Sequence, residues 1–148
     1  MSPVITRLVS LMADPAVHLR IAGCLLLALA VSHLVLPRAL GWPAELRRVS
    51  VLTRQVSYVH TYFIGMLCGL FGVMAVALAP DLLRPDHLAV AILLGAVTIW
   101  GSRLFIQIWV FDPVLWNGRA LTVVGHLAFV VLWSYLTFVF AWALSRQF

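Results

Sequence analysis

HLAVAILLGAVTIWGSRLFIQIWVF, residues 87–111, is an apolar run that contains a single charged residue. An α-helix needs about 20 mostly apolar residues to cross the hydrocarbon core of a bilayer, so this run is long enough to span a membrane. Three more runs of this kind cover about residues 17–36, 57–79 and 120–144. The sequence therefore predicts four membrane-crossing helices.

The composition of the whole chain supports this reading. Of its 148 residues, 64% are hydrophobic and only 10% are charged, whereas about a quarter of the residues of a soluble domain are charged. Backbone groups inside lipid must be hydrogen-bonded within their own segment, which uninterrupted apolar runs achieve as helices. We expect a single integral membrane domain over residues 1–148, with an all-α fold: a four-helix antiparallel transmembrane bundle with both termini on one side.

The segment between the first two spans predicts a further short helix. In GWPAELRRVSVLTRQ, residues 41–55, and just beyond it, apolar side chains recur at helical spacing: Leu46, Val49, Leu52 and Val56. Arginines surround this stripe, so we expect a short interfacial helix that leads into the second span. The tryptophan at its start, Trp42, is expected at the level of the lipid headgroups.

Other signals mark the ends of the helices. Proline lacks a backbone N–H, so Pro37, Pro80 and the Asp112-Pro113 pair are expected where helices end. Asn117-Gly118 predicts a turn in the third loop, with Trp116 as another interfacial ring. Near the N-terminus, one more apolar stripe predicts a short helix on the membrane surface: Val4, Ile5, Leu8, Val9 and Met12.

The charges of the chain bear on its location. All ten basic residues are arginine, and with abundant Ala, Leu and Val this favours a GC-rich bacterial genome and hence a bacterial cytoplasmic membrane. Five arginines flank loops 1 and 3, against four on the side of the termini: Arg38, Arg47, Arg48, Arg54 and Arg119, against Arg7, Arg20, Arg84 and Arg146. Because four of those five surround loop 1, we expect loops 1 and 3 in the cytoplasm and the termini outside. Membrane topology and anionic lipid explain the basic charge, so no nucleic-acid partner is expected.

The polar residues of the spans gather toward one end of the predicted bundle. Because successive helices alternate in direction, polar residues late in spans 1 and 3 and early in spans 2 and 4 all fall at the loop 1/loop 3 end. These residues form the predicted ligand-binding site: His33, Arg54, Gln55, His60, Trp100, Arg103, Gln107, Asp112 and His126.

Arg103 is the most informative of them. An arginine this far from a helix end costs about 2.5 kcal/mol or more unless it meets partners or water. Trp100, Arg103 and Gln107 are three and four residues apart, so they share one helix face. Arg103 could then present a planar fork to a carboxylate, a phosphate or a quinone oxygen. The alternative is structural: Arg103 pairs with Asp112, or reaches lipid phosphate at the membrane surface.

Three histidines from three spans raise the possibility of a cofactor. His33, His60 and His126 could hold zinc, copper or iron, or two of them could ligate haem iron. No two of them are three or four residues apart, as metal ligands within one helix usually are, so ordinary helix contacts are the alternative. Cys24 and Cys68 have no metal-ligand spacing and are expected to be small apolar residues without a disulfide.

Packing signals also appear in the second and fourth spans. Gly65, Gly69 and Gly72 lie on neighbouring positions of one helix face, which predicts close packing within the bundle or, alternatively, a homodimer. The aromatic residues of the fourth span are expected to fill the core and to face lipid. Among them, the Tyr135 hydroxyl needs a hydrogen-bond partner.

Two functions remain open at this point. The first is a binding or accessory subunit that holds a lipid-like, quinone or pigment ligand within a larger membrane complex, in contact with membrane lipid. The second is a small membrane enzyme, with or without haem or a metal, that acts on an amphipathic substrate through histidine as acid, base or ligand. The sequence shows no catalytic carboxylate and no nucleophile motif, which favours the first.

Overall fold

A computed structural model describes residues 2–112, 114 and 120–148 of the chain. Among these residues there are six α-helices, one short 3-10 helix and no strand. In chain order they are α1 (Pro3–Met12), α2 (Pro15–Ala39), α3 (Trp42–Glu45), the 3-10 helix (Leu46–Arg48), α4 (Val51–Ala77), α5 (His87–Trp109) and α6 (Ala120–Ser145).

Four of these helices, α2, α4, α5 and α6, are long and apolar enough to cross a membrane. The predicted fold class is confirmed: the chain is all-α, with four long apolar helices and a short helical segment between the first two. It is a multi-pass integral membrane protein. The helix α1 lies where the N-terminal apolar stripe predicted one.

The segment between α2 and α4 differs from its prediction. Leu46, Val49 and Leu52, which were expected on one helix, do not share a helix. The backbone at Val49 is extended (φ −105°, ψ 168°) and interrupts the helical segment there. A new helix then starts at Val51, where the Ser50 hydroxyl accepts a hydrogen bond from the Thr53 amide at 3.1 Å. Serine is a preferred N-cap, so it ends one helical segment and begins the next. As a result, α4 begins well before residue 57, the predicted start of the second span.

The prediction for Pro37 also needs adjustment. α2 includes this proline and continues to Ala39. A proline in the last turn removes only one helical donor, the one that the His33 carbonyl would otherwise accept from. Pro80, in contrast, lies three residues after the last residue of α4, and the Leu78 amide closes that helix on the Met74 carbonyl at 2.9 Å.

Contacts divide the chain into two compact units. The central unit comprises Arg20–Leu78, and the terminal unit comprises Met1–Leu19 with Ala79–Phe148. In the central unit α2 and α4 run antiparallel, since Gly23 faces Gly72 and His33 faces Gly65. The two backbones touch at the first of these points: a Cβ on Gly23 would lie 2.7 Å from the Gly72 carbonyl oxygen. The predicted packing role is confirmed for Gly65 and Gly72, with α2 as the partner helix, whereas Gly69 makes no close approach.

The terminal unit is built on an antiparallel pair of α5 and α6. Its interface holds the parallel rings of Trp100 and Trp133, with centroids 5.7 Å apart and an interplanar angle of 3°. At the end of the pair, the Gln147 amide donates to the Leu82 carbonyl at 2.9 Å and accepts from the Asp86 amide at 3.2 Å. The C-terminal residues thus hydrogen-bond the segment that leads into α5.

Several predicted features lie outside the described residues. These are Pro113, the Trp116 ring, the Asn117-Gly118 turn and the charge of Arg119. The side chains of Leu8 and Val9 in α1 are also outside the described part.

Candidate functional site

The predicted site residues fall in both units. The central unit holds His33, Arg54, Gln55 and His60, and the terminal unit holds Trp100, Arg103, Gln107, Asp112 and His126.

In the central unit, a groove lies between α2 and α4. It has a volume of about 570 Å³, within the range of small-molecule sites. Its walls are mostly apolar, with one histidine and one tyrosine. The lining residues are Ala30, Val31, His33, Leu34, Tyr62, Gly65, Met66, Gly69, Leu70 and Val73.

The glycines of α4 create this groove. A Cβ on Gly65 would lie 2.9 Å from the Cβ of His33, too close for a real contact, so only glycine lets the histidine sit there. One turn further along, a Cβ on Gly69 would meet the Ala30 Cβ at an ordinary 3.6 Å. The two glycines therefore act differently: Gly65 admits His33, and Gly69 leaves the space between the helices open.

The hydrogen bonding of His33 determines which ring nitrogen carries the proton. Its Nδ1 lies 2.7 Å from the Leu29 carbonyl oxygen. A carbonyl oxygen only accepts, so Nδ1 is the donor, and in the neutral ring Nε2 carries the lone pair. His33 is half-buried and lines the groove. The histidine therefore gives the mostly apolar wall of the groove a hydrogen-bond acceptor, in addition to the Tyr62 hydroxyl.

His60 repeats the local bond of His33 in a different place. Its Nδ1 donates to the Val56 carbonyl at 2.9 Å. The ring is exposed and lines a second, smaller groove of about 310 Å³ on α4, with Phe63, Ile64 and Leu67 among its neighbours. The two histidines of the central unit thus line neighbouring grooves, which share Met66 and Leu70.

Arg54 and Gln55 lie in the first turns of α4. Arg54 is half-buried and Gln55 is exposed. Neither is among the residues that line the two grooves. Their role as ligand-binding residues stays a prediction.

In the terminal unit, Arg103 packs on aromatic rings. Its guanidinium carbon lies 5.3 Å from the ring centroid of Trp133 and 5.5 Å from that of Phe111. Such cation–π contacts stabilise a charge in a region with little water. Trp133 in turn stacks on Trp100 and on Phe129, so Arg103 lies at the side of an aromatic stack. The predicted role of the Arg103 guanidinium in binding a carboxylate, a phosphate or a quinone oxygen stays a prediction.

The structure also brings together Gln107 and His126. Gln107 is buried, and its side-chain nitrogen lies 2.9 Å from Nδ1 of His126. In this arrangement the amide donates to Nδ1, and the proton of a neutral His126 ring lies on Nε2. The pair links α5 to α6 through a partly buried hydrogen bond between two of the predicted site residues.

Asp112 follows the end of α5 and makes a local turn. Its carboxylate accepts a hydrogen bond from the Val114 amide at 2.8 Å, a common arrangement in which an Asp side chain caps the backbone two residues on. This contact gives Asp112 a structural role in the loop. It does not test whether Asp112 also binds a ligand.

Sequence reasoning missed a third polar cluster, which lies in the terminal unit. The Tyr135 hydroxyl is 3.0 Å from Nδ1 of His18, and Nε2 of His18 is 3.1 Å from the Met12 carbonyl. Since the carbonyl only accepts, Nε2 carries the proton, and Tyr135 donates to Nδ1. The Trp142 ring meets His18 edge-on at 5.7 Å. The sequence did show that the Tyr135 hydroxyl, inside an apolar span, needs a hydrogen-bond partner. It did not identify His18 as that partner, because the two residues are 117 positions apart in the chain.

Metal binding finds no support in the described part of the chain. There, no three His, Cys, Asp or Glu side chains come together in a group that could hold a metal ion. The hypothesis that His33, His60 and His126 hold a metal ion, or that two of them ligate haem, stays a prediction.

Comparison with protein-family models, curated proteins and solved structures gave no match. The fold and the sites define a class, a small multi-pass membrane protein with four apolar helices.

Proposed function

We propose that the protein is a membrane-embedded binding or accessory subunit that holds a lipid-like ligand in the groove between α2 and α4. The observation that carries this proposal is the groove itself, about 570 Å³ between two tightly packed helices. Its wall is apolar apart from His33 and Tyr62. Such a surface suits a molecule with one polar end and a long apolar body, because apolar pockets with few polar groups orient a ligand by those groups.

The backbone contacts nearby support a groove that persists without a ligand. Gly23 and Gly72 bring α2 and α4 into direct backbone contact at one end of the pair. Close packing of small residues is a main source of helix association in membranes. A rigid pair of helices lowers the cost of ordering the site, so binding does not require the protein to rearrange.

The groove can be tested by filling it. Gly69→Leu adds a side chain where an added Cβ meets only the Ala30 Cβ, at 3.6 Å, so the helices need not separate. Leu34→Trp blocks the groove independently from α2, since Leu34 is exposed there. Gly95→Leu is the matched control, because an added Cβ at Gly95 meets no atom within 4 Å.

The measurement is the set of small molecules that remain with the protein after purification in a mild detergent. Organic extracts are analysed by mass spectrometry, together with a visible absorption spectrum and metal analysis. We expect one amphipathic compound in stoichiometric amount with the wild type and Gly95→Leu, and loss of most of it with both groove variants. Equal retention by all four proteins, or no retained compound, would overturn the proposal.

A further inference from the structure

One hydrogen-bond acceptor of the groove, Nε2 of His33, restricts the chemistry of what the groove can hold. Nδ1 of His33 donates to the Leu29 carbonyl at 2.7 Å, and the Ser32 hydroxyl donates to the same oxygen at 2.7 Å. This carbonyl is well placed to keep the proton on Nδ1. Nε2 of the neutral ring is then an acceptor, and the described residues show no hydrogen bond to it.

From this geometry we infer that the ligand of the α2–α4 groove carries a hydrogen-bond donor at its polar end, namely the hydroxyl of a long-chain or isoprenoid alcohol. The inference rests on the proposed function of the groove and specifies its ligand. An acceptor left unpaired in an apolar environment costs free energy. A ligand hydroxyl removes this cost by donating to Nε2.

The same geometry disfavours other lipid-like molecules. The carbonyl oxygens of an oxidised quinone only accept, and so do the oxygens of a phosphatidylcholine headgroup, so neither can bond the lone pair of Nε2. A hydroxyl can also accept from the Tyr62 phenol, which lines the same groove. An alcohol therefore satisfies both polar side chains of the groove, whereas a ketone or an ether satisfies only the tyrosine.

His60 provides a control within the same unit. It makes the same hydrogen bond to the carbonyl one turn earlier, at 2.9 Å, but lines the other groove. His33→Phe and His60→Phe therefore remove the same local bond, and only the first removes the acceptor from the α2–α4 groove.

The test uses the whole chain in phosphatidylcholine nanodiscs, whose lipid carries no hydroxyl donor, at about pH 8. The probe is a long-chain alcohol with a diazirine in its chain, photolysed so that it labels the residues beside it. Labelled peptides are identified by mass spectrometry. The competitors are an unlabelled isoprenoid alcohol and its methyl ether, which differ only in the donor hydrogen.

We expect labelling of the α2–α4 groove, and competition by the alcohol at a concentration on the order of fivefold lower than the ether, the effect of one net hydrogen bond. This comparison in the wild-type chain requires no variant to fold. His33→Phe should abolish the difference between the competitors, and His60→Phe should keep it.

The outcomes separate this inference from the proposed function. If the alcohol and the ether compete equally in the wild type, the inference that the ligand is a hydrogen-bond donor is overturned. If labelling is still lost in Gly69→Leu, the groove remains a binding site. Labelling that is unchanged in Gly69→Leu overturns both. A Soret band in the purified protein, or stable dimers that exclude the probe from the groove, would also overturn the inference, since a tetrapyrrole or a second copy would then be the occupant.

Discussion

At the scale of single residues, the three histidines with fully described hydrogen bonds show how a neighbouring group selects the tautomer. In His33 and His60 a backbone carbonyl receives the Nδ1 proton, which leaves Nε2 as the acceptor. In His18 the carbonyl of Met12 receives the Nε2 proton instead, and Nδ1 accepts from Tyr135. The same side chain thus presents a free acceptor in one place and a fully bonded ring in another.

The hydrogen bond between Tyr135 and His18 leads to a prediction about stability. Tyr135→Phe removes the donor to Nδ1 of His18 and leaves the packing of the ring in place. We expect the free energy of unfolding to fall by about 0.6 kcal/mol and at most about 1.7 kcal/mol, the range measured for hydrogen bonds between membrane helices. Unfolding in mixed micelles measures this loss.

Tyr58→Phe is the control for that variant, since Tyr58 lies in α4 and the described residues show no hydrogen bond from its hydroxyl. A loss that is the same for both variants would mean that the bond between Tyr135 and His18 contributes nothing to stability.

At the scale of helices, the contact between α2 and α4 is set by glycine. A Cβ at Gly23 would lie 2.7 Å from both the Gly72 carbonyl oxygen and the Val76 side chain. The first of these is backbone and cannot rotate away. The helices can relieve such a clash only by moving apart, which would also change the width of the groove.

Gly23→Ala should therefore destabilise the protein, although alanine is the better helix former. We expect a loss of about 1–3 kcal/mol, typical of an overpacked interface. Gly95→Ala, where the added Cβ meets nothing within 4 Å, should leave stability unchanged or raise it by up to about 1 kcal/mol. Unfolding of both variants is measured in the same micelles, and a Gly23→Ala protein as stable as Gly95→Ala would contradict the close contact.

At the scale of the whole molecule, we expect the four apolar helices to cross the membrane, which would place the two ends of the chain on the same side. The segment between α2 and α4 then lies on the opposite side. The arginines around that segment place it in the cytoplasm by the positive-inside rule, and this orientation stays a prediction.

Cysteine labelling tests both the number of crossings and the orientation. Glu45→Cys lies in α3, and Phe148→Cys lies at the exposed C-terminus. A membrane-impermeant maleimide added outside intact cells should label Phe148→Cys and should reach Glu45→Cys only after the cells are opened. The unsubstituted chain corrects for Cys24 and Cys68. The reversed pattern would contradict the orientation alone, while labelling of both from one side would contradict four crossings.

Sequence reasoning located the four spans because the signal for a membrane helix is local. About 20 consecutive apolar residues are required, and their number can be counted without knowing any partner. The break before α4 was missed for a local reason as well: Ser50 is a strong N-cap, but the apolar stripe that continues past it favoured a single helix. Gly65, Gly69 and Gly72 were recognised as a packing face, but their partner helix was not.

The sequence by itself thus determined the class of this protein, its four spans and the residues from which a site could be made. Only the tertiary structure decided which of them meet: Gln107 with His126, Arg103 with Trp133, and Tyr135 with His18. It also decided that His33 and His60 line different grooves. The physical reason is that lipid is as apolar as the protein interior, so the hydrophobic pattern of a membrane helix does not show which face packs inward. The faces are chosen by the fit of small residues and by hydrogen bonds between distant positions.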